Sequence, residues 1–468
     1  MHLDTNFLKR VLPEVEVLQG RLPQDITFSI DSRSITETQL FFALSGATVD
    51  GHTYVKQALT KGAGVVIAHS KKNILDSFLS EVSKEKLILL VADPLQAFIS
   101  LAAAWRSEFS YPVAAVTGSV GKTSTKELTA HMLKLAGKKY LISQGNLNTI
   151  YGVPLMISCM SHEHEGALFE IGISKQGEME EIVKMLRPTV ALITCVAHSH
   201  MAGLGTVASI AHEKRMIFKY FLSDSIGIVN GDQPFLSAVS YAHPLVRFGL
   251  KTANQVQARK LKENVDGTLS FILKLYDHKY PITLTENHKG IIMNVLASVT
   301  LAHQLGVKDE LIVESLKKLP IRKQRFQLCS LKGMRGTLID DCYNASPESV
   351  KAALLALESM KTKGKKIAVL ADMLELGHLS SFWHRQIGRF LRKVPSLDHL
   401  ILVGQEVAWI EKTAPHFITI ERVPSWQDAI LYLSAKLDTD ALVLVKGSRG
   451  MQLHHVVDEF VDKKTTSI

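Results

Sequence analysis

Residues 113–127 read VAAVTGSVGKTSTKE. VAAV is a short apolar run of the kind that forms a buried strand. The following TSTKELTAHMLKLAG places Leu128, Met132, Leu133 and Leu135 at helical spacing, with Gly137 as the C-terminal stop and Lys134, Lys138 and Lys139 near the negative end of the dipole. Thr117–Thr123 therefore connects a strand to a helix N-terminus, where exposed N–H groups and the dipole converge on an anion. The usual phosphate loop, G-x-x-x-x-G-K-[ST], needs a glycine five residues before Gly121; that position is Val116, and the first glycine is Gly118. An ordinary Gly-rich turn is the competing reading. Lys122-Thr123 at the helix start favours a short nucleotide loop, with Lys122 against the β/γ-phosphates and the Thr123 hydroxyl on Mg²⁺.

Upstream lie strand-like TFSI, then Asp31-Ser32-Arg33, LFFAL, a helical YVKQALTKG and the strand GVVIA. Asp93-Pro94 opens the helix LQAFISLAAAWRSEF, Asp93 as its cap and Pro94 in its first turn. Downstream come strands at LFEIG, VALITCV and IGIVN, and, after KKLPIRKQRF, at TLIDD, KIAVLAD, HLILVG and ALVLVKG. Strands alternating with helices predict α/β layers with parallel strands. The expected fold is three α/β domains: residues 1–90, a central 91–320 with a doubly wound P-loop sheet, and a Rossmann-like 321–468.

The 468 residues carry 54 Lys+Arg against 45 Asp+Glu, a formal net charge of +9. The basic residues are scattered, without the dense tract of a nucleic-acid tail, so no nucleic-acid partner is expected. No apolar run approaches the roughly 20 residues of a membrane span. MHLDTNFLKRVLPEVE holds no apolar leader, and the cytoplasm is the expected compartment. Cys159, Cys195, Cys329 and Cys342 form no C-x-x-C pair, which argues against zinc or disulfides and reads as small buried hydrophobes.

Glu170 interrupts the apolar ALFEIGIS. A carboxylate buried in a strand needs a partner or a metal, whereas one on an edge strand would face water. Its place on the second strand after the phosphate loop favours the metal. His198 and His200, in AHSHMAGLG, follow the strand VALITCV, at the strand end where open α/β sheets place ligands. Lys214, in AHEKRMIF, reads on residue type alone as a solvated helix lysine.

Together these pieces resemble the Mur ligases, ATP-dependent amide-bond formers of peptidoglycan synthesis, over essentially the whole chain. TGSVGKTSTKE looks like that family's short T-G-x-x-G-K-[TS] loop, and GNLNTIYGVPL, DDCYNASPES, ADMLELG and VKGSR are further matching motifs. The motifs are most similar to those of the family member that adds D-alanyl-D-alanine to UDP-MurNAc-tripeptide; the D-N-P-R signature of the diaminopimelate-adding relative is absent. The resemblance implies that a peptide carboxylate attacks the γ-phosphate of ATP to give an acyl phosphate. The amine of D-alanyl-D-alanine then attacks that carbonyl, and phosphate leaves.

By position, the resemblance assigns Gly118, Ser119, Val120, Gly121, Lys122, Thr123 and Ser124 to the nucleotide phosphates, with Arg325 and Asp341 where the C-terminal domain meets the nucleotide. Thr123 and Glu170 would hold one Mg²⁺, and His200 with Glu170 a second. Lys214 matches the lysine that this family carbamylates with CO₂, which replaces its reading as a solvated residue. Lys122, Glu170, His200, Lys214 and Asn344 form the implied catalytic set. Asn146 and Asn148 match a loop facing the active site. Tyr343, Lys446, Ser448 and Arg449, with Asn344, would lie near the incoming dipeptide or transferred phosphate. Asp31-Ser32-Arg33 resembles the uridine-diphosphate-binding turn of the first domain, and Asp50-Gly51-His52 either packs or touches substrate. A monomer is expected, and an unliganded chain is expected to be open, with Asp341 and Lys446 far from Lys122.

The chain departs from the family pattern at Thr149, where Asn is usual, and at Ala202, where Glu is common. The His-Asn pair that helps hold adenine falls on Gly290-Ile291; Asn287-His288, in reversed order nearby, is the candidate substitute. Another Mur ligase or a folylpolyglutamate synthase-like ligase is the alternative within the superfamily. A P-loop GTPase would need an N-K-x-D motif, which the sequence lacks.

Overall fold

The computed structural model describes residues 4–21, 25–46, 48–199, 201–264, 268–285 and 290–462. Three sheets divide the chain. The first holds β1 (Glu16–Gln19), β2 (Thr27–Ser29), β3 (Gln39–Phe42), β4 (Gly64–Ala68) and β5 (Leu87–Val91) in the order β1-β5-β4-β3-β2. Only β1 runs antiparallel to its neighbour. Every residue of β4 and β5 is buried, which is why both read as continuous apolar runs.

The central sheet holds β6 (Val113–Thr117), β7 (Tyr140–Ile142), β8 (Gly166–Glu170), β9 (Val190–Ile193), β10 (Ile226–Asn230), β11 (Leu245–Gly249), β12 (Val256–Glu263), β13 (Leu269–Leu275) and β14 (His278–Leu284). Their order is β14-β13-β12-β11-β10-β9-β6-β8-β7. From β7 to β12 every pair is parallel, and β6 lies between β8 and β9. The chain leaves β6 toward one side and returns on the other, so the loop after β6 opens at a topological switch point, where α/β sheets bind ligands.

Helices cover both faces. Lys122–Leu135 packs against Gly290–Gln304 through Leu128, Met132, Val295 and Val299. The opposite face packs on Pro94–Ser107, Gly152–Ser158 and Glu178–Leu186. Asp93 caps Pro94–Ser107 through bonds from the Leu95 and Gln96 amides. This helix belongs to two cores, because Phe98 lies 5.6 Å from Phe28 and 4.8 Å from Phe42 in the first domain, while Trp105 donates to the Met160 carbonyl at 3.1 Å. The expectation of parallel strands fails at β13 and β14, which extend the sheet as an antiparallel hairpin. One face of β13 is buried and the other half-open, the alternation of an antiparallel strand rather than the unbroken apolar run of a parallel one.

The third sheet holds β15 (Gln327–Ser330), β16 (Thr337–Asp340), β17 (Lys366–Ala371), β18 (His399–Val403), β19 (Thr419–Val423) and β20 (Leu442–Lys446), ordered β15-β16-β20-β17-β18-β19 with β15 antiparallel at the edge. Among the described residues no helix is long and apolar enough to cross a membrane. Cys329 and Cys342 are buried, as expected, but Cys159 is exposed.

Candidate active site

The loop between β6 and Lys122–Leu135 is shaped by two glycines. Gly118 has φ +150°, and a Cβ there would sit 1.8 Å from the Thr194 hydroxyl; Gly121 has φ +86°, and a Cβ there would meet the Asn294 carboxamide oxygen at 2.3 Å. Gly121 is also the N-cap, so no side chain caps this helix and its first-turn N–H groups are left without a side-chain acceptor, as an anion site requires. The loop is tied down from β9 and the segment after it. Thr194 Oγ1 donates to Val120 O at 2.6 Å, the Ser119 amide donates to Cys195 O at 2.8 Å, and Ser119 Oγ exchanges bonds with the amide and carbonyl of Ala197 at 2.9 and 3.0 Å.

Lys122 Nζ donates to Gly118 O at 2.8 Å, and burial, partly offset by the Glu170 charge, pushes its pKa down. Lys214 is 1% exposed. Among the described residues it has no hydrogen-bond acceptor or carboxylate partner, so it is not the solvated lysine its residue type suggested. Burial, reinforced by the Lys122 charge, lowers its pKa to about 7.

Glu170 ends β8, a strand flanked by β6 and β7, and is 3% exposed. Its Oε1 accepts from Asn148 Nδ2 at 2.9 Å, and Lys126 Nζ stands 3.6 Å from its Oε2. Ser143 couples the two, its hydroxyl accepting from the Glu170 amide at 2.9 Å and its carbonyl from Lys126 Nζ at 2.9 Å. Among the described residues Oε2 accepts no hydrogen bond, and it is buried. No cluster of three or more His, Cys, Asp or Glu able to hold a metal occurs among the described residues. A lone carboxylate beside a hydroxyl and a phosphate loop suits Mg²⁺, which takes one or two protein oxygens and completes its shell with water and substrate phosphates. The residues present fit that ion. His200 lies outside the described residues, as do Asn287 and His288.

The C-terminal domain supplies the facing wall. Arg325 Nη2 donates to Thr123 Oγ1 at 2.7 Å, while its guanidinium stacks 4.1 Å from the Tyr343 ring centroid. Arg449 approaches the same ring at 5.4 Å. Lys446 is 2% exposed, lies 2.8 Å from Asp341 Oδ2 and donates to Asn344 O at 3.0 Å. Asp341 Oδ1 accepts from the Phe326 amide at 3.1 Å, and Ser448 Oγ from the Leu374 amide at 2.9 Å. Lys122, Thr123, Asn146, Asn148, Glu170, Asp341, Asn344, Lys446 and Arg449 all line one cleft of about 580 Å³. The open arrangement expected without ligand is therefore corrected. The Arg325–Thr123 bond and a 2.6 Å contact between His198 Nδ1 and Glu348 Oε1 bridge the two domains. Gly290 and Ile291 line the cleft at the start of their helix, one turn before Asn294.

Asp31, Ser32 and Arg33 stand apart from this cleft. Arg33 grips Asp31 through Nε at 2.9 Å and Nη2 at 2.8 Å, which holds the Asp31 carboxyl down at about 2; Ser32 Oγ donates to Gln57 at 2.9 Å. His52 is a packing residue. It is 3% exposed, Nδ1 lies 2.7 Å from Asp50 Oδ1, and Nε2 accepts from the Ala68 amide at 3.1 Å, which fixes the Nδ1–H tautomer. Sequence reading missed Lys126, Ser143 and Asn294. Lys126 had a signal: it lies one helical turn after Lys122, on the same face.

The chain matches the Mur ligase middle domain over residues 116–302, the Mur ligase glutamate ligase domain over 324–449 and the Mur ligase family catalytic domain over 27–106. It is 31% identical over 438 residues to the UDP-N-acetylmuramoyl-tripeptide–D-alanyl-D-alanine ligase of Bacillus subtilis, covering 92% of each chain. The chain belongs to the Mur ligase family. The Escherichia coli Mur ligase of the same name is 32% identical over 456 residues, covering 94% of this chain and 96% of that one. Among solved Mur ligases, MurF from Acinetobacter baumannii superposes with a TM-score of 0.84 at 27% identity, covering 98% of both chains. MurF from Thermotoga maritima, crystallised with ADP, gives 0.79 at 26%, covering 93% and 96%.

Proposed function

We propose that this chain joins D-alanyl-D-alanine to UDP-MurNAc-tripeptide at the expense of ATP, through an acyl phosphate, as a cytoplasmic monomer. Near-full-length similarity to relatives named for that reaction supports the reading. The observation that carries it is the cleft itself. Lys122, half-buried and with no carboxylate in ion-pair contact, faces the Lys446–Asp341 pair across a volume that fits a nucleotide and a peptide terminus, and the buried Lys214 lies close enough for its charge to be felt at Lys122.

The uncapped helix N-terminus and Lys122 hold the phosphates, and the buried setting strengthens each of these interactions. One Mg²⁺ held by Thr123 and Glu170, and a second held by Glu170 with His200, would offset charge developing on the transferred phosphoryl group. Asn148 and Lys126 orient Glu170. A Lys214 amine with a pKa of about 7 is about half neutral at neutral pH, against a very small fraction for an ordinary lysine, and only the neutral amine attacks CO₂. The new N–C bond forms as the amine proton is lost, converting a buried cation into an anionic carbamate. Arg449, Tyr343 and Asn344 line the C-terminal side, where the dipeptide amine would approach. The Asp31-Ser32-Arg33 turn would hold the uridine diphosphate, with Arg33 exchanging Asp31 for phosphate.

Phosphate release from ATP that requires both UDP-MurNAc-tripeptide and D-alanyl-D-alanine is the expected result. Full turnover with one of them alone, or with glutamate or diaminopimelate in place of the dipeptide, would reassign the chain within the superfamily.

A further inference from the structure

His198 is one residue through which the segment after β9 reaches the C-terminal domain. Its Nδ1 lies 2.6 Å from Glu348 Oε1, its amide donates to the same oxygen at 3.3 Å, and its ring lies 4.1 Å from that of Trp383. Glu348 sits in the first turn of Pro347–Ser359, capped by Ser346, where the dipole favours a carboxylate. Trp383 projects from Ser380–Phe390, and Lys351 Nζ covers its ring at 5.4 Å. A second strut runs alongside, the Ala202 amide donating to Glu375 O at 3.3 Å.

The central-domain end of this contact is joined to the phosphate loop. Ala197, adjacent to His198, exchanges two bonds with Ser119 Oγ, and Cys195 O accepts from the Ser119 amide. Its C-terminal end is equally direct: Glu348 follows the segment 341–346, which carries Tyr343 and Asn344 and whose Asn344 carbonyl accepts from Lys446. Glu348 Oε2, Trp383 Nε1 and Ser199 Oγ are buried without a hydrogen bond among the described residues.

We infer that His198, docked on Glu348 and Trp383, is a positioning residue for the ligase reaction: it couples occupancy of the loop at Ser119 to docking of the domain that carries Asn344, Lys446 and Arg449. The inference rests on the proposed reaction for its kinetic readout, but not for its structural one. His198 touches no reacting atom in this account and acts through the placement of the C-terminal wall.

The test uses the full chain with ADP as the nucleotide probe. His198→Ala and Glu348→Ala are each expected to lower kcat and raise KM for D-alanyl-D-alanine, about tenfold in kcat/KM. ADP affinity should fall as well, by up to about tenfold, because a coupling between loop occupancy and domain docking acts in both directions. The double variant should be no worse than either single one, since the two residues form one contact. His198→Asn, whose amide can donate from near the Nδ1 position, should recover most of the loss. Small-angle X-ray scattering with ADP should give a larger radius of gyration for both Ala variants than for the wild type. If His198→Ala does not fold, Glu348→Gln carries the same measurements. Wild-type kinetics and scattering in these variants, or additive losses in the double variant, would overturn the inference. A wild type inactive with D-alanyl-D-alanine would sink the proposed reaction instead, leaving scattering and ADP binding to decide the latch.

Discussion

On the central side of the cleft, Lys122 is half-buried on the wall and Lys214 is buried near it, neither with a carboxylate in ion-pair contact among the described residues; on the C-terminal wall, Lys446 is buried and lies 2.8 Å from Asp341. Both walls are electropositive, yet only one has its charge settled. A buried cation without a partner costs the fold several kcal/mol, a cost reduced when the group shifts its pKa or meets an anion. On the proposed reading the central side takes its negative charge from outside, from phosphates at Lys122 and from a carbamate formed at Lys214. The C-terminal wall is preorganised by its own side chains and needs only to be brought into place.

The largest difference between the walls should appear in turnover. Lys122→Ala is expected to lower kcat about 10³-fold, because the loop then faces the transferred charge without its cation. Steady-state phosphate release checks this, and a loss under tenfold would mean that the central wall does not await phosphate.

Lys214→Ala should come next, with a loss of about 10²-fold that a short carboxylic acid partly restores by standing in for the carbamate. The same residue gives a pH signature in CO₂-free buffer. Its folded pKa is about 7 and its unfolded value about 10.5, so between these the unfolded chain binds the extra proton. Stability then rises with pH across that window, and Lys214→Met should flatten the rise. Denaturant unfolding at pH 7 and pH 9.5 measures it; an unchanged slope would place a counter-charge beside the lysine.

On the paired wall the effect should fall on stability. Asp341→Asn leaves Lys446 buried with carbonyl partners only, and should destabilise the C-terminal domain by about 3 kcal/mol, read as a lowered Tm. The smallest effect is expected at the exposed first-domain turn. Arg33→Ala should raise KM for the UDP-substrate about tenfold with kcat unchanged, the loss of one charge-assisted contact.

The contrast also explains what the sequence disclosed. The phosphate loop was legible because glycine positions, a lysine and a strand–helix junction are all local features. Glu170 was legible because a carboxylate in an apolar strand conflicts with its surroundings. Lys214 was legible only through the family resemblance, since AHEKRMIF by itself reads the same for a solvated as for a buried lysine, and burial is decided by distant packing. His198 was noticed only for its place at a strand end; its partners Glu348 and Trp383 lie 150 and 185 residues on, in another domain. The β13–β14 hairpin escaped because its alternation belongs to antiparallel strands, while the flanking pattern pointed to parallel ones. The closed cleft was equally out of reach, resting on two bridges, Arg325–Thr123 and His198–Glu348, that no local pattern announces.

One measurement bears most directly on the central claim: phosphate release from ATP by the intact chain, with each substrate omitted in turn. The account predicts turnover only when UDP-MurNAc-tripeptide and D-alanyl-D-alanine are both present, with one phosphate released per peptide bond formed. Turnover with either alone, or none with both, would contradict it.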